Sequence, residues 1–81
     1  MELIMAKEKE PLKTLRDNLY AVMYQKDWSP MHLSIECGIS YETLRRILAL
    51  ESKNIWLSTI ISIAEGLEVP VYSLFDDRKA V

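Results

Sequence analysis

The stretch SPMHLSIECGISYETLRRIL, Ser29 to Leu48, decides the fold. It holds two short amphipathic segments on either side of a glycine. Gly38 supplies the positive φ that ends the first segment, and Ile39 follows as an apolar anchor. Ser40 then offers its hydroxyl to the open N–H groups of the second segment's first turn. Ser29 begins the first segment in the same way, with Pro30 at the first helical position. Trp28 and Leu33 stand five apart across one cap, and Ile39 and Leu44 five apart across the other, the spacing of a hydrophobic staple. Two stapled caps in succession define a rigid turn. The spacing predicts a helix-turn-helix with helices over 30–36 and 41–49, a unit whose second helix typically enters the DNA major groove.

Working outward toward the N-terminus, Pro11 is well placed to open a helix over 11–26. Leu12, Leu15, Leu19, Val22 and Met23 recur there at helical spacing, with Tyr20 and Tyr24 expected at the edge of the core. Residues 1–10 alternate Lys and Glu without an apolar face and read as a solvated tail. Toward the C-terminus, the polar connection Glu51–Asn54 leads to a helix over 57–67, expected to bury Leu57, Ile60, Ile61, Ala64 and Leu67. Gly66 lies inside that helix and is expected to weaken it. Pro70 starts a fifth helix over 70–75 carrying Val71, Leu74 and Phe75, and residues 77–81 form a second tail. The expectation is an all-α, compact five-helix domain without strands.

Turning the second motif helix at 100° per residue sorts its side chains. Leu44, Ile47 and Leu48 share the inner face. Glu42, Arg46 and Ala49 point outward, with Tyr41 and Arg45 to one side. Ser34 is small where the two motif helices must cross closely. Trp56, on an otherwise polar connection, is expected to lie over the core as a lid, with an interface anchor as the alternative.

Composition bounds the function. Eighty-one residues, about half of them hydrophobic, suffice for one domain. No apolar run approaches the roughly 20 residues needed to cross a bilayer, and the N-terminus does not read as a signal peptide. The single Cys37 cannot form an internal disulfide and is expected to be a small buried residue, which fits a cytoplasmic protein. The formal net charge is −2, whereas nucleic-acid-binding domains are commonly basic. The excess acid lies outside the motif: residues 13–56 carry six basic against five acidic side chains. A local excess of one positive charge is weak attraction for a polyanion, so non-specific affinity should be low and salt-sensitive.

No catalytic constellation is visible. One Cys and one His cannot make a zinc site of the usual kind. The serines lack a His–Asp partner set, and two glycines make no phosphate-cradling loop. The expectation is a protein that is not an enzyme, with no cofactor, no metal, no membrane partner and no small-molecule ligand.

The chain resembles the Cro/repressor-like helix-turn-helix (XRE-type) family of bacterial and phage regulators. The blocks LSIECGISYETLRRI and NIWLSTIISIAEGLEVPVYSLF carry the resemblance, which runs from about Leu12 to Phe75. It implies a five-helix DNA-binding domain that usually works as a homodimer on a partly palindromic site. By position, Tyr41, Glu42, Arg45 and Arg46 match the family's base-reading and phosphate-binding places, and Thr43 lies closer to the flank. Arg can bridge guanine O6 and N7, and Glu can accept from cytosine N4. Ser29, Lys53 and Asn54 match places that grip phosphates, with Ser40 beside them; such contacts orient a domain without reading sequence.

The chain also departs from the family. Pro30 stands where glutamine is frequent, which removes a phosphate or base contact unless Ser29 or His32 supplies it. Trp56 replaces the polar cap of the fourth helix, and Glu68 replaces the glycine after it. The expected function is a sequence-specific DNA-binding regulator, a repressor in preference to an activator because 81 residues leave no separate effector domain. Dimerisation is expected around the fifth helix through Val71 and Phe75, four apart. The alternative is a protein–protein interaction module on the same fold, such as an antirepressor, an antitoxin-like protein or a co-regulator subunit. A third possibility is a subunit that binds DNA only beside a basic partner. Simpler structural roles exist for the same side chains: Glu42 and Arg46 form an acid-first i,i+4 pair, Tyr41 and Arg45 could stack, and His32 could be an ordinary surface residue.

Overall fold

The computed structural model describes residues 11–52 and 54–76. Both expected tails and the Lys53 phosphate contact lie outside the described residues. Among the described residues four α-helices follow in order, α1 Pro11–Lys26, α2 Pro30–Cys37, α3 Tyr41–Leu48 and α4 Leu57–Leu67, and then a 3-10 helix, Val71–Phe75. No strand occurs among the described residues. No helix among them is long and apolar enough to cross a membrane.

Local chemistry starts and stops these helices. Ser29 Oγ accepts the His32 N–H at 3.1 Å to open α2, and Ser40 Oγ accepts the Thr43 N–H at 3.0 Å to open α3. All four α-helices end in one way, with a left-handed residue just past the helix. These are Asp27, Gly38, Leu50 and Glu68, at φ 58°, 70°, 60° and 60°. The next residue's N–H returns five positions back in each case: Trp28 to Met23, Ile39 to Ser34, Glu51 to Arg46, and Val69 to Ala64, all within 2.9–3.1 Å. This is the Schellman arrangement, which favours glycine because a Cβ strains left-handed backbone. Only Gly38 meets that preference. Glu68→Gly should therefore stabilise the domain by about 0.5–1 kcal/mol, part of the relief being offset by the greater freedom of glycine in the unfolded chain. A thermal melt lower than the parent's would contradict that account of the turn.

The core gathers Leu15, Leu19 and Met23 of α1, Leu33 and Cys37 of α2, Leu44, Ile47 and Leu48 of α3, and Ile63, Ala64 and Leu67 of α4, closed by Leu74. α1 packs on α3 and on the 3-10 helix, and α2 packs on both α3 and α4. The inner face of α3 and the buried Cys37 match the sequence reading, and Ser34 is buried as expected at the foot of the turn.

Several expectations are corrected. The fifth element is a 3-10 helix starting at Val71, because five residues between Pro70 and Asp76 are too few for a stable α-helical run. In α4 the buried face is Ile63, Ala64 and Leu67 with Ile60 half-buried; Leu57 is 65 % exposed and Ile61 also faces out. Ile63 is fully buried, so the buried face is shifted by roughly half a residue position from the expected setting, with Ala64 and Leu67 buried as expected. The reason is Gly66. Its missing side chain lets α4 lie directly on the end of α2, where a Cβ would fall 2.6 Å from Cys37 Cα and 2.6 Å from the Glu36 carbonyl oxygen. Trp56 is 82 % exposed and is no lid, since it sits at the N-cap of α4 before the helix reaches the core. Tyr24 is 89 % exposed, outside the α1 stripe that Tyr20 only half leaves.

Asn18 is a core residue that periodicity alone does not disclose. Its Nδ2 donates to the carbonyl oxygens of Leu74 at 2.8 Å, Asp76 at 3.2 Å and Ser73 at 3.4 Å, and so ties the 3-10 helix to α1. These three acceptors fix the orientation of the amide. Its Oδ1 is buried without a partner among the described residues, and Asn18 lines a cavity of about 230 Å³ that Val22, Leu67 and Val69 help to wall.

Candidate nucleic-acid interface

α3 is held by its inner face, and its outer face is left to solvent. Leu44 and Ile47 anchor it in the core, while Tyr41, Glu42, Arg45 and Arg46 are exposed and Thr43 is half-buried. The Gly38 turn and the Ser40 cap fix where this face begins relative to α2. Ser40 Oγ, besides accepting the Thr43 N–H, donates to Thr43 Oγ1 at 2.8 Å. That leaves the Thr43 hydroxyl hydrogen to point outward as a donor.

The charged side chains of the face form a closed network on Glu42. Arg45 donates from Nε at 3.1 Å and from Nη2 at 2.8 Å to the two carboxylate oxygens, a bidentate fork. Arg46 Nε donates to the second oxygen at 3.1 Å. Arg45 Nη2 also reaches Glu51 Oε1 at 3.4 Å. Two guanidinium groups thus face two carboxylates, and the face is close to neutral. The hydrogen bonds from Arg45, then those from Arg46, hold the Glu42 carboxyl at about 2, well below the usual carboxylate range. The same pairing with Glu42 raises Arg45 above the ordinary arginine value.

A depressed carboxyl contributes stability at any pH above its unfolded value of 4.5 and loses that contribution as pH falls through about 2. Side-chain carboxyl NMR should therefore find the Glu42 midpoint near 2, with Arg45 and Arg46 still paired at pH 4. A midpoint near 4.5 would mean the network does not persist in solution.

A second polar group lies at the start of α2. The His32 ring stacks on Trp28 with centroids 4.6 Å apart, Lys26 Nζ sits 5.3 Å from the Trp28 ring centre, and His32 Nε2 lies 3.2 Å from Glu36 Oε2. Ser29 Oγ accepts from the backbone, which leaves its O–H available to donate. Lys26 was not among the sequence candidates, although its position two residues before Trp28, next to the Ser29 cap, could have marked it. Asn54 is exposed in the connection after α3.

The remaining candidates do not assemble as expected. Val71 is exposed, to about the same extent as Ile61, and Phe75 is half-buried against the core. Residues four apart align on an α-helix, but at about three residues per turn they diverge, so the expected apolar strip is broken. Tyr72, 74 % exposed, is the outward side chain of that turn. Glu51 is the network member that sequence reading missed, because it is brought back by the chain reversal at Leu50 and not by helical spacing.

Comparison with models of known protein families, with curated proteins and with solved structures finds no match.

Burial pushes the Cys37 thiol up to about 11, helped by the nearby Glu36 charge, so it is a packing residue and a poor nucleophile.

Proposed function

We propose that this chain is a sequence-specific double-stranded DNA-binding transcriptional regulator of the cytoplasm, acting as a homodimer and repressing in preference to activating. In this reading α3 enters the major groove. The observation that carries it is the outer face of α3: Tyr41, Glu42, Arg45 and Arg46 stand together in solvent on a helix fixed by two capped termini and a buried inner face. A helix so mounted presents its side chains to a groove without reorganising the backbone. Arg45 and Arg46 supply donors matched to guanine, Glu42 an acceptor for cytosine N4–H, and Thr43 a flank contact to a thymine methyl or a phosphate. Ser29, His32 and Ser40 lie at the two helix starts, where backbone phosphates would pass, and Lys26 joins them from the end of α1. Asn54 would add a contact from the following connection.

A second reading is favoured by a different surface. Trp56 and Leu57 are largely exposed and Ile61 partly so, close together in sequence at the start of α4, and clustered exposed apolar groups mark interaction sites. On this reading the domain binds another regulatory protein and has little DNA affinity of its own.

Amide NMR separates the two. Addition of a mixed-sequence duplex should shift the resonances of residues 40–46 and of 29–32 and leave those of 56–61 in place. No shifts in a folded protein would move the function to the partner-binding surface.

A further inference from the structure

We propose that Glu42 is a specificity-determining residue that works by competing with DNA phosphates for Arg45 and Arg46. The inference rests on the DNA-binding reading above. Carboxylate and phosphate can each accept two parallel charge-assisted bonds from the planar guanidinium fork. In the free protein that place is already taken, since three bonds of 2.8–3.1 Å converge on Glu42. A phosphate that takes the Arg45 fork must take it from Glu42, and one that binds Arg46 through Nε competes with the same carboxylate. It then leaves a carboxylate with fewer partners facing a polyanion. Non-specific binding therefore gains little from the two arginines that dominate this face.

A suitable base pattern removes the penalty. Guanine presents O6 and N7 to an arginine, while cytosine presents an N4–H donor to a carboxylate. Where guanine and cytosine edges lie close enough in the groove, the network opens with Glu42, Arg45 and Arg46 re-partnered. Elsewhere the carboxylate is stranded. Glu42 thus rejects DNA that offers phosphates alone and admits DNA that offers the right edges, a repulsive element serving specificity. The acidic balance of the chain then fits the same scheme: it lowers binding to arbitrary DNA and leaves discrimination to the bases. Protonation does not release the arginines in the working range, because the carboxyl stays ionised far below neutral pH.

The test uses the full chain and its Glu42→Gln variant, which keeps the side-chain shape and removes the charge. Both are first shown to be folded by thermal melting. Binding is measured by fluorescence anisotropy to a mixed-sequence duplex and to the duplex the parent prefers, over about 50–200 mM salt. The variant should bind the mixed-sequence duplex about tenfold more tightly. Its log K against log salt slope should steepen by about one, because one more phosphate is neutralised. Its preference for the selected duplex should fall at least as far. A parent that selects a duplex, with a variant whose mixed-sequence affinity and slope are unchanged, overturns this role for Glu42 and leaves the DNA reading standing. Absence of duplex binding by both folded proteins overturns the two together.

Discussion

Gly66→Ala is expected to lower the melting temperature by roughly 5–20 °C, corresponding to about 1–3 kcal/mol of destabilisation in a domain of this size. Two opposing effects meet at this position. Alanine in a helix interior is favoured over glycine by about 1 kcal/mol, so the substitution would stabilise an isolated α4. In the folded chain the new methyl group would meet backbone, the Cys37 Cα and the Glu36 carbonyl oxygen, both at 2.6 Å. Backbone cannot turn aside as a side chain can, so α4 and α2 must separate. Overpacking at a helix crossing then outweighs the helical gain. The displacement would not stay local, because the end of α2 carries the Gly38 turn that sets α3. DNA affinity should therefore fall along with stability. A Gly66→Ala protein that melts within about 2 °C of the parent would show that the two helices are not held in this close crossing.

Arg46→Ala should have the opposite profile. Arg46 is exposed and its bond is to an exposed carboxylate, so thermal stability should be nearly unchanged. Specific binding should weaken roughly ten- to hundredfold, the range of one good arginine–guanine contact. The loss should also be selective. A base-reading arginine costs affinity for the preferred sequence and relaxes discrimination at one position, whereas a phosphate-gripping arginine weakens every duplex alike. Quantitative binding to the preferred duplex and to single-base variants distinguishes the two. Equal affinity of the variant and the parent for the preferred duplex would remove Arg46 from the reading face.

What the sequence disclosed, and what it hid, follows from the range of the interactions. The α2–turn–α3 unit was legible because its determinants are local. Ser29 and Ser40 cap within three residues, Gly38 needs only its own left-handed φ, and Leu44, Ile47 and Leu48 repeat at helical spacing. The setting of α4 was not legible. In LSTIISIA nearly every second or third position is apolar, so periodicity admits more than one buried face, and the choice is made by the contact of Gly66 with a helix thirty residues earlier. Asn18 was hidden for the same reason, since its three carbonyl partners lie more than fifty positions away. In the candidate site, the Glu42–Arg46 pair could be read from i,i+4 spacing. That the same carboxylate would take Arg45 in a fork, and that Arg45 would also reach Glu51, depends on rotamers and on the reversal at Leu50. The exposure of Trp56 was likewise decided by its place at an uncapped helix start.

The central claim, that α3 reads DNA, is tested most directly by selecting bound duplexes from a random pool at near-physiological salt. A homodimeric reader should enrich a motif of two related half-sites about one helical turn apart, roughly 10 base pairs centre to centre. Guanine and cytosine should occupy the positions that respond to changes at Arg45, Arg46 and Glu42. A folded protein that enriches no sequence over successive rounds would contradict the claim, and would leave the exposed start of α4 as the surface through which this domain acts.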